Sequence, residues 1–204
     1  AVFFFVLESP HFDELRTGKP LSGSAGCAAL KFLAPATSSQ EPLGPYTAQR
    51  HDTGDFRVAI VNVSPVPLQV QAYLESMPSP LLPAADWAVM LAIQGSQKEA
   101  VSKLSSINEQ DANRLLIPGL QRRISTLDLS STAVIFTSGT FAQRSWQEIA
   151  SRPPMTTLPI PHPSRNLWQK TTNSVCNTPR AELRRKVHEK NLTELRRLFT
   201  ASTT

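Results

Sequence analysis

The sequence predicts an α/β protein: a three-layer α/β/α sandwich around a central, mainly parallel four-stranded sheet. Short continuous apolar runs carry this prediction, because a strand buried on both faces loses the alternation of a half-exposed strand. Helical segments separate the runs, which is typical of parallel sheets covered on both sides. With 204 residues the chain is long enough for one sizeable core. We therefore predict a single domain over residues 1–204.

The four predicted strands are short and mostly β-branched or aromatic. They cover residues 1–7 (AVFFFVL), 56–63 (FRVAIVNV), 133–137 (AVIFT) and 155–158 (MTTL). Pro65 and Pro67 end the second strand, because proline cannot continue a central ladder.

Helices are predicted between and after these strands. The predicted segments are 25–33, 66–77, 85–126, 140–151 and an amphipathic C-terminal helix at 179–199, with loops at 8–24 and 34–56. Pro118 and Gly119 are expected to interrupt the long helical stretch.

Positive charge is concentrated at the C-terminal end. The chain carries 21 Lys and Arg against 16 Asp and Glu, giving a net charge of +5. From Arg165 onward there are nine basic and three acidic side chains. A basic face of this kind suits a polyanion such as nucleic acid, although a solvated basic helix has the same composition.

Several classes of protein are disfavoured by composition. The longest apolar run, residues 1–7, is far shorter than the span of about 20 residues that crosses a membrane. It also lacks the basic start of a signal peptide. Cys27 and Cys176 are too few for a four-ligand metal cluster, and free thiols fit a reducing compartment. We therefore expect an intracellular protein of the cytoplasm, nucleoid or nucleus, with no membrane partner, metal or cofactor.

Three polar residues lie at or just after the ends of predicted strands: Glu8, Asn62 and His162. The carboxyl ends of parallel strands meet at one edge of the sheet, where ligands bind in such folds. A carboxylate, a carboxamide and an imidazole at that edge can read a small planar polar ligand.

These motifs resemble those of the uracil-DNA glycosylase superfamily, most closely its thermostable iron–sulfur branch. The chain has LESPH and then GKPLSGSAG after the first strand, VNVSP after the second, AVIFTSGTFAQRSW at the third and PHPSRN after the fourth. They stand in the order of the family and span nearly the whole chain. Singly each motif is weak, but together they are more specific.

The sequence also departs from the family pattern. Leu7 stands where most members have Gly, and Leu21 replaces the Phe that stacks on the base. His11 replaces a small or aromatic residue, and Ser64 stands where a cluster cysteine would fall. These departures indicate that the chain holds no iron–sulfur cluster, and they leave the excised base open.

The resemblance implies a role for each matched residue. Glu8 would orient or deprotonate water, and His162 would donate a hydrogen bond to the oxyanion of the leaving base. Asn62 would read the base with Ser9, His11 and Leu21. DNA would be contacted by Ser22, Gly23, Ser24, Ser164, Arg165, Asn166 and Leu167, with Leu167 as a wedge that fills the stack after base flipping.

Structural alternatives exist for the same residues. Glu8 can cap a helix, Asn62 can form a turn, and Leu167 with Trp168 can anchor the next helix in the core.

The predicted function is a monomeric, monofunctional DNA glycosylase that removes a deaminated base such as uracil. A non-catalytic nucleic-acid-binding protein of the same fold is one alternative. An enzyme or binder of a small nucleotide or base is another, because fold does not fix function.

Overall fold

The fold is built on a four-stranded, all-parallel sheet, which confirms the predicted class. The computed structural model describes residues 2–35, 40–68, 83, 85–86, 88–90, 114–149, 154–171, 176 and 178–201. The strands are β1 (Phe3–Leu7), β2 (Val58–Asn62), β3 (Val134–Ser138) and β4 (Thr156–Ile160), in the spatial order β2-β1-β3-β4. From β1 the chain runs to β2 at one edge of the sheet, and it then reverses direction across the sheet to reach β3 on the other side of β1. This reversal lies between β1 and β3, the position at which open α/β sheets bind ligands.

Helices cover both faces of the sheet. They are α1 (Phe12–Thr17), α2 (Ser24–Leu33), α3 (Leu43–Asp52), α4 (Ile117–Ser125), α5 (Thr140–Gln147), α6 (Leu167–Thr171) and α7 (Pro179–Ala201), with a 3₁₀ turn at Ser164–Asn166. One core contains α4 and α5 residues, and the other contains residues of α2, α3, α6 and α7. The predicted three-layer arrangement is therefore present.

The position of β1 between two cores explains why its sequence is apolar without alternation. Phe4 and Val6 point into the core with α4 and α5, whereas Phe3, Phe5 and Leu7 point into the opposite core. All five side chains are at most 2% exposed. Full burial of each large side chain contributes about 1.5–3 kcal/mol. The strand is therefore the shared wall of both cores.

The structure corrects three local predictions. Residues 8–24 are not a continuous loop, because α1 occupies Phe12–Thr17. Residues 34–56 are not a continuous loop, because α3 occupies Leu43–Asp52. Pro42 and Pro45 lie at and just inside its start, where a missing backbone N–H is tolerated. Residues 66–68 are not helical, and the rest of the helix predicted at 66–77 lies outside the described residues.

One proline fits its prediction and another corrects one. Residues 114–115 are helical, a turn follows at Leu116, and α4 begins at Ile117 with Pro118 in its first turn, so the helical stretch is interrupted beside Pro118 as predicted. Residues 91–113 of the predicted stretch at 85–126 lie outside the described part of the chain. β4 continues through Pro159 to Ile160, which is possible because β4 is an edge strand.

The C-terminal helix α7 confirms the predicted helix and extends it slightly. Leu192, Leu195 and Phe199 are buried in the core, while Leu183 is 66% exposed nearer the start of the helix. Arg185 forms ion pairs with Glu182 and Glu189, so part of the positive charge is balanced within the helix. Arg197 likewise pairs with Glu194. Among the described helices, none is long and apolar enough to cross a membrane.

Two glycines let α2 and α3 approach the Pro20–Leu21 backbone closely. A Cβ on Gly26 would overlap the Leu21 carbonyl oxygen, and one on Gly44 would overlap the Pro20 carbonyl oxygen. The Gly44 N–H also donates to the Leu21 carbonyl at 3.2 Å. These contacts hold Leu21, a residue of the cleft described below.

We expect Gly44→Ala to destabilise the fold, because the overlapping atom is backbone and cannot rotate away. The expected loss in the free energy of unfolding is about 2 kcal/mol or more, measured by urea denaturation. Gly119→Ala in α4 is the matched control, since its Cβ would meet only Arg123 Nη1 at 3.4 Å. Equal stability of the two variants would contradict the close approach at Gly44.

Candidate functional site

A cleft of about 470 Å³ opens at the carboxyl edge of the sheet, within the size range of small-molecule sites. It lies beyond the ends of β1 and β4 and against α1, α2 and the 3₁₀ turn. Its lining consists of Leu7, Glu8, Ser9, His11, Glu14, Leu21, Gly23, Ser24, Ala25, His162, Ser164, Arg165 and Leu167.

Most of the predicted site residues meet in this cleft. Asn62, Ser22 and Asn166 are the predicted residues that do not line it. The Ser22 hydroxyl accepts a hydrogen bond from Thr17 Oγ1 and donates one to the Lys19 carbonyl, both at 2.7 Å, so it stabilises a turn. Asn62 contacts the cleft indirectly, through Glu14. Glu8 and His162, which are far apart in the sequence, face the same space.

Glu8 is positioned by an extension of the β1–β2 ladder. The Val63 N–H donates to the Leu7 carbonyl, and the Ser64 N–H donates to the Glu8 carbonyl, both at 2.9 Å. The ladder therefore continues one residue beyond β1 and holds the backbone carbonyl of Glu8. Its carboxylate is presented at the end of the most buried strand.

Ser9 lies beside Glu8 and is 9% exposed. Within the described residues its buried hydroxyl oxygen has no hydrogen-bond partner. A buried hydroxyl without a partner is costly, so Ser9 is suited to hydrogen-bond a ligand in the cleft. His11 lies at the rim, exposed and 3.7 Å from an Asp13 carboxylate oxygen.

The loop that carries His162 is fixed by hydrogen bonds to its backbone. The Gly139 N–H donates to the Ile160 carbonyl at 2.9 Å. The Pro161 carbonyl accepts from Trp168 Nε1 at 2.7 Å and from Ser138 Oγ at 3.3 Å. The imidazole therefore projects from a rigid support.

The tautomer of His162 follows from its own hydrogen bond. The Ser164 N–H donates to His162 Nδ1 at 3.2 Å, so Nδ1 carries a lone pair and the ring proton sits on Nε2. Burial lowers the pKa of His162, which the negative charge of Glu8 partly opposes and the His11 ring reinforces. A neutral imidazole with an Nε2–H donor is the resulting form.

Glu14 is a cleft residue for which the sequence predicted no role. It lies on α1 and is 9% exposed. Its Oε1 accepts the Leu21 N–H, and its Oε2 accepts an N–H from Asn62 Nδ2, both at 2.9 Å. Burial raises the pKa of Glu14, although these hydrogen bonds act in the opposite direction. No local sequence signal distinguishes Glu14 from a surface acid in a short helix.

Leu21 adopts a left-handed backbone with φ of +51°. This conformation is unfavourable for a side chain with a Cβ, costing about 1–3 kcal/mol. The strained backbone aims the Leu21 N–H at Glu14, while the Leu21 side chain is buried and lines the cleft. Strain of this kind is common at ligand sites.

The turn after His162 is strained as well and presents an apolar side chain. Arg165 and Asn166 both have a φ of +56°. Leu167 is 37% exposed at the cleft, whereas its neighbour Trp168 is fully buried. Trp168 therefore anchors α6 in the core, as the structural alternative proposed, and Leu167 does not share that role.

Metal-binding residues do not cluster in the described part of the chain. No group of three His, Cys, Asp or Glu side chains there could hold a metal ion. Cys27 and Cys176 are free cysteines. The groups that line the cleft are two carboxylates, two imidazoles, a guanidinium, hydroxyls and apolar side chains.

Comparisons with known proteins return no family model, no curated protein and no solved structure that matches this chain. Its function is therefore inferred from the residues of the cleft.

We expect the stability of Glu14→Gln relative to the wild-type protein to increase from pH 4.5 to pH 8. A carboxyl whose pKa is raised by folding loses stability as pH rises from its ordinary 4.5 through the raised value. The neutral amide avoids that loss and is nearly the same shape. The relative stability of the variant should therefore decrease as pH falls toward 4.5. Urea denaturation between pH 4.5 and 8 measures it, and a variant less stable at pH 7 than at pH 4.5, relative to wild type, would contradict the assignment.

Proposed function

We propose that this protein is a DNA glycosylase that flips a deaminated base out of the stack and hydrolyses its N-glycosidic bond. The observation that carries the proposal is the meeting of Glu8 and His162 in one cleft at the carboxyl edge of the sheet. A carboxylate and a neutral imidazole donor are the two groups that this hydrolysis needs.

The reaction separates charge, and each group stabilises one side of it. As the bond between C1′ and the base nitrogen breaks, its electron pair leaves with the base and C1′ becomes cationic. The Glu8 carboxylate stabilises this cation and takes a proton from the attacking water, whose oxygen bonds to C1′. His162 Nε2–H donates to the base oxygen on which negative charge develops.

The neutral form of His162 suits this role. The Ser164 N–H holds the proton on Nε2, and burial keeps the ring uncharged at neutral pH by lowering its pKa. The donor is therefore already oriented before the reaction, so little reorganisation is required in the transition state.

DNA binding would use the residues around the mouth of the cleft. Leu167 is an exposed apolar side chain beside the catalytic pair and can fill the space left by a flipped base. Arg165 lies on the same strained turn and can contact phosphate. The backbone at Gly23 and Ser24, at the start of α2, can offer N–H groups to a second phosphate.

A small nucleotide or free base is a second candidate ligand. The cleft volume is of the size that holds such a molecule, and part of the positive charge of α7 is balanced within the helix. Thermal-shift measurements with free bases and nucleotides separate this candidate from the glycosylase. Stabilisation by a nucleotide without any affinity for DNA would favour it.

Base release from DNA is the direct test of the proposed function. Oligonucleotides with one uracil, hypoxanthine or xanthine are incubated with the protein and then cleaved with alkali. We expect strand breaks with at least one base, reduced about 100-fold or more in Glu8→Gln and in His162→Ala, which removes the N–H donor. Circular dichroism would verify that both variants fold. Undiminished rates in both folded variants would refute these two roles.

Leu167→Ala tests the wedge. We expect excision from duplex DNA to fall more than excision from single strands, because only duplex DNA has a stack to be refilled. Leu183→Ala is the matched control, since it removes an exposed leucine from α7 outside the cleft. Equal duplex and single-strand losses in Leu167→Ala would argue against insertion.

A further inference from the structure

A second cluster of charged side chains lies at the amino edge of the sheet, opposite the cleft. Arg50 is in the last turn of α3, and Asp55 and Arg57 lie in the segment that leads into β2. The backbone N–H groups of Val2 and Phe3 donate to the Arg57 carbonyl, at 2.7 and 2.9 Å. The cluster is therefore fixed to the start of β1, whereas the cleft lies beyond its end, a strand length of about 16 Å away.

One carboxylate holds both guanidiniums of the cluster in place. Arg50 Nε donates to Asp55 Oδ2 at 2.6 Å, and Arg57 donates from Nε to Oδ1 and from Nη2 to Oδ2, both at 2.7 Å. Arg50 Nη1 also donates to the Tyr46 hydroxyl at 3.1 Å. The hydrogen bond from Arg57 is the main cause that lowers the pKa of Asp55, so the carboxylate stays charged. Two arginines that share one aspartate carry a net positive charge.

Both arginines keep N–H groups for another acceptor. A guanidinium has five N–H groups, and each of these two uses two of them in the hydrogen bonds of the described residues. Three remain on each side chain, and the side chains of Arg50 and Arg57 are 35% and 34% exposed. The planar fork of a guanidinium matches the oxygens of a phosphate, so two forks held by one carboxylate are suited to bind one.

An exposed aromatic ring lies beside the two arginines. Phe56 is 63% exposed, and its ring lies against that of His51, with centroids 5.3 Å apart. His51 is itself held, because its Nε2 donates to the Val58 carbonyl at 2.8 Å. Phe56 and both arginines line an open hollow of about 610 Å³, within the size range of small-molecule sites. A supported, exposed ring of this kind is a platform on which a base can stack.

A small cavity adjoins the same cluster. Its volume is about 20 Å³, and its lining includes all three charged side chains and Thr47. Thr47 is 6% exposed, and within the described residues its hydroxyl oxygen has no hydrogen-bond partner. A buried hydroxyl without a partner is costly, and the cavity has room for one water that would join it to the cluster. The polar groups at this edge are therefore not all paired within the described part of the chain.

We propose that Arg50, Arg57 and Phe56 form a second ligand site, which binds a nucleoside 5′-monophosphate. The two guanidiniums bind the phosphate, and the Phe56 ring stacks on the base. Asp55 is a positioning residue, because it orients both guanidiniums. The same phosphate monoester occurs in a free nucleotide and at the 5′-phosphorylated end of a DNA strand. Because the site lies a strand length from the cleft, it does not depend on the proposed glycosylase.

Calorimetric titration with AMP, adenosine and inorganic phosphate tests the site. We expect AMP to bind about tenfold or more tightly than either of the other two, because its phosphate and base contacts act together. Phe56→Ala should weaken AMP binding about fivefold or more and leave the binding of inorganic phosphate unchanged, since the ring contributes only stacking. Leu183→Ala, which removes a similarly exposed side chain from α7, is the matched control.

Arg57→Lys tests the role of the planar fork. Lysine keeps the charge but not the paired donors, so AMP and inorganic phosphate should both bind about fivefold or more weakly. Arg122→Lys is the matched control, because Arg122 is an exposed arginine on α4 outside the hollow. Thermal unfolding without ligand verifies that each variant folds. Because Phe56 is exposed, Phe56→Ala decides the test even where Arg57→Lys lowers stability.

Two results would overturn the proposal. The first is the absence of AMP binding at millimolar concentration, or equal affinity in the wild-type protein, Phe56→Ala and Arg57→Lys. The second is AMP binding that survives both substitutions and is lost in His162→Ala, which would assign the nucleotide to the cleft.

Short single strands with and without a 5′-phosphate separate the two sources of the monoester. Their binding is measured by fluorescence anisotropy, on strands that contain no deaminated base. Tighter binding of the phosphorylated strand, lost in Phe56→Ala, identifies a DNA end as the ligand. Equal binding of the two strands beside intact AMP binding identifies a free nucleotide. Either result supports the second site, and neither depends on base release.

Discussion

The burial of β1 on both faces is the constraint on which the rest of the structure depends. Phe3 to Leu7 form the wall between two cores, with β2 and β3 hydrogen-bonded on either side. A strand in this position cannot shift its register without moving apolar side chains of both cores. Its carboxyl end is therefore a fixed point. Glu8 follows immediately, so its position at the cleft is fixed by the most buried strand.

Several features of the cleft lower the stability of the fold. Burial raises the pKa of Glu14 and lowers the pKa of His162, so both shifts favour the neutral side chain. The backbone is left-handed at Leu21, Arg165 and Asn166. Each feature is unfavourable by itself, and all of them lie in or beside one cleft. Such costs are typical of preorganised sites, where groups are held in place before a ligand binds.

The sequence predicts the sheet well because burial on both faces leaves a strong local pattern. It also predicts the meeting of Glu8 and His162, since the carboxyl ends of parallel strands share one edge. Helix α3 was not predictable from composition, because prolines in a first turn and prolines in a loop look alike. Glu14 was missed for another reason: its importance depends on Asn62, 48 positions away in the chain, and on the unusual backbone of Leu21.

Glu14 and His162 are oriented in the same way. In each case a backbone N–H, which cannot change its polarity, meets one atom of the side chain: the Ser164 N–H meets His162 Nδ1, and the Leu21 N–H meets Glu14 Oε1. For His162 this leaves the ring proton on Nε2 as a donor, and for Glu14 the second oxygen accepts from Asn62 Nδ2. Backbone donors thus fix the polarity of two buried side chains before any ligand binds, which is what preorganisation of a cleft requires.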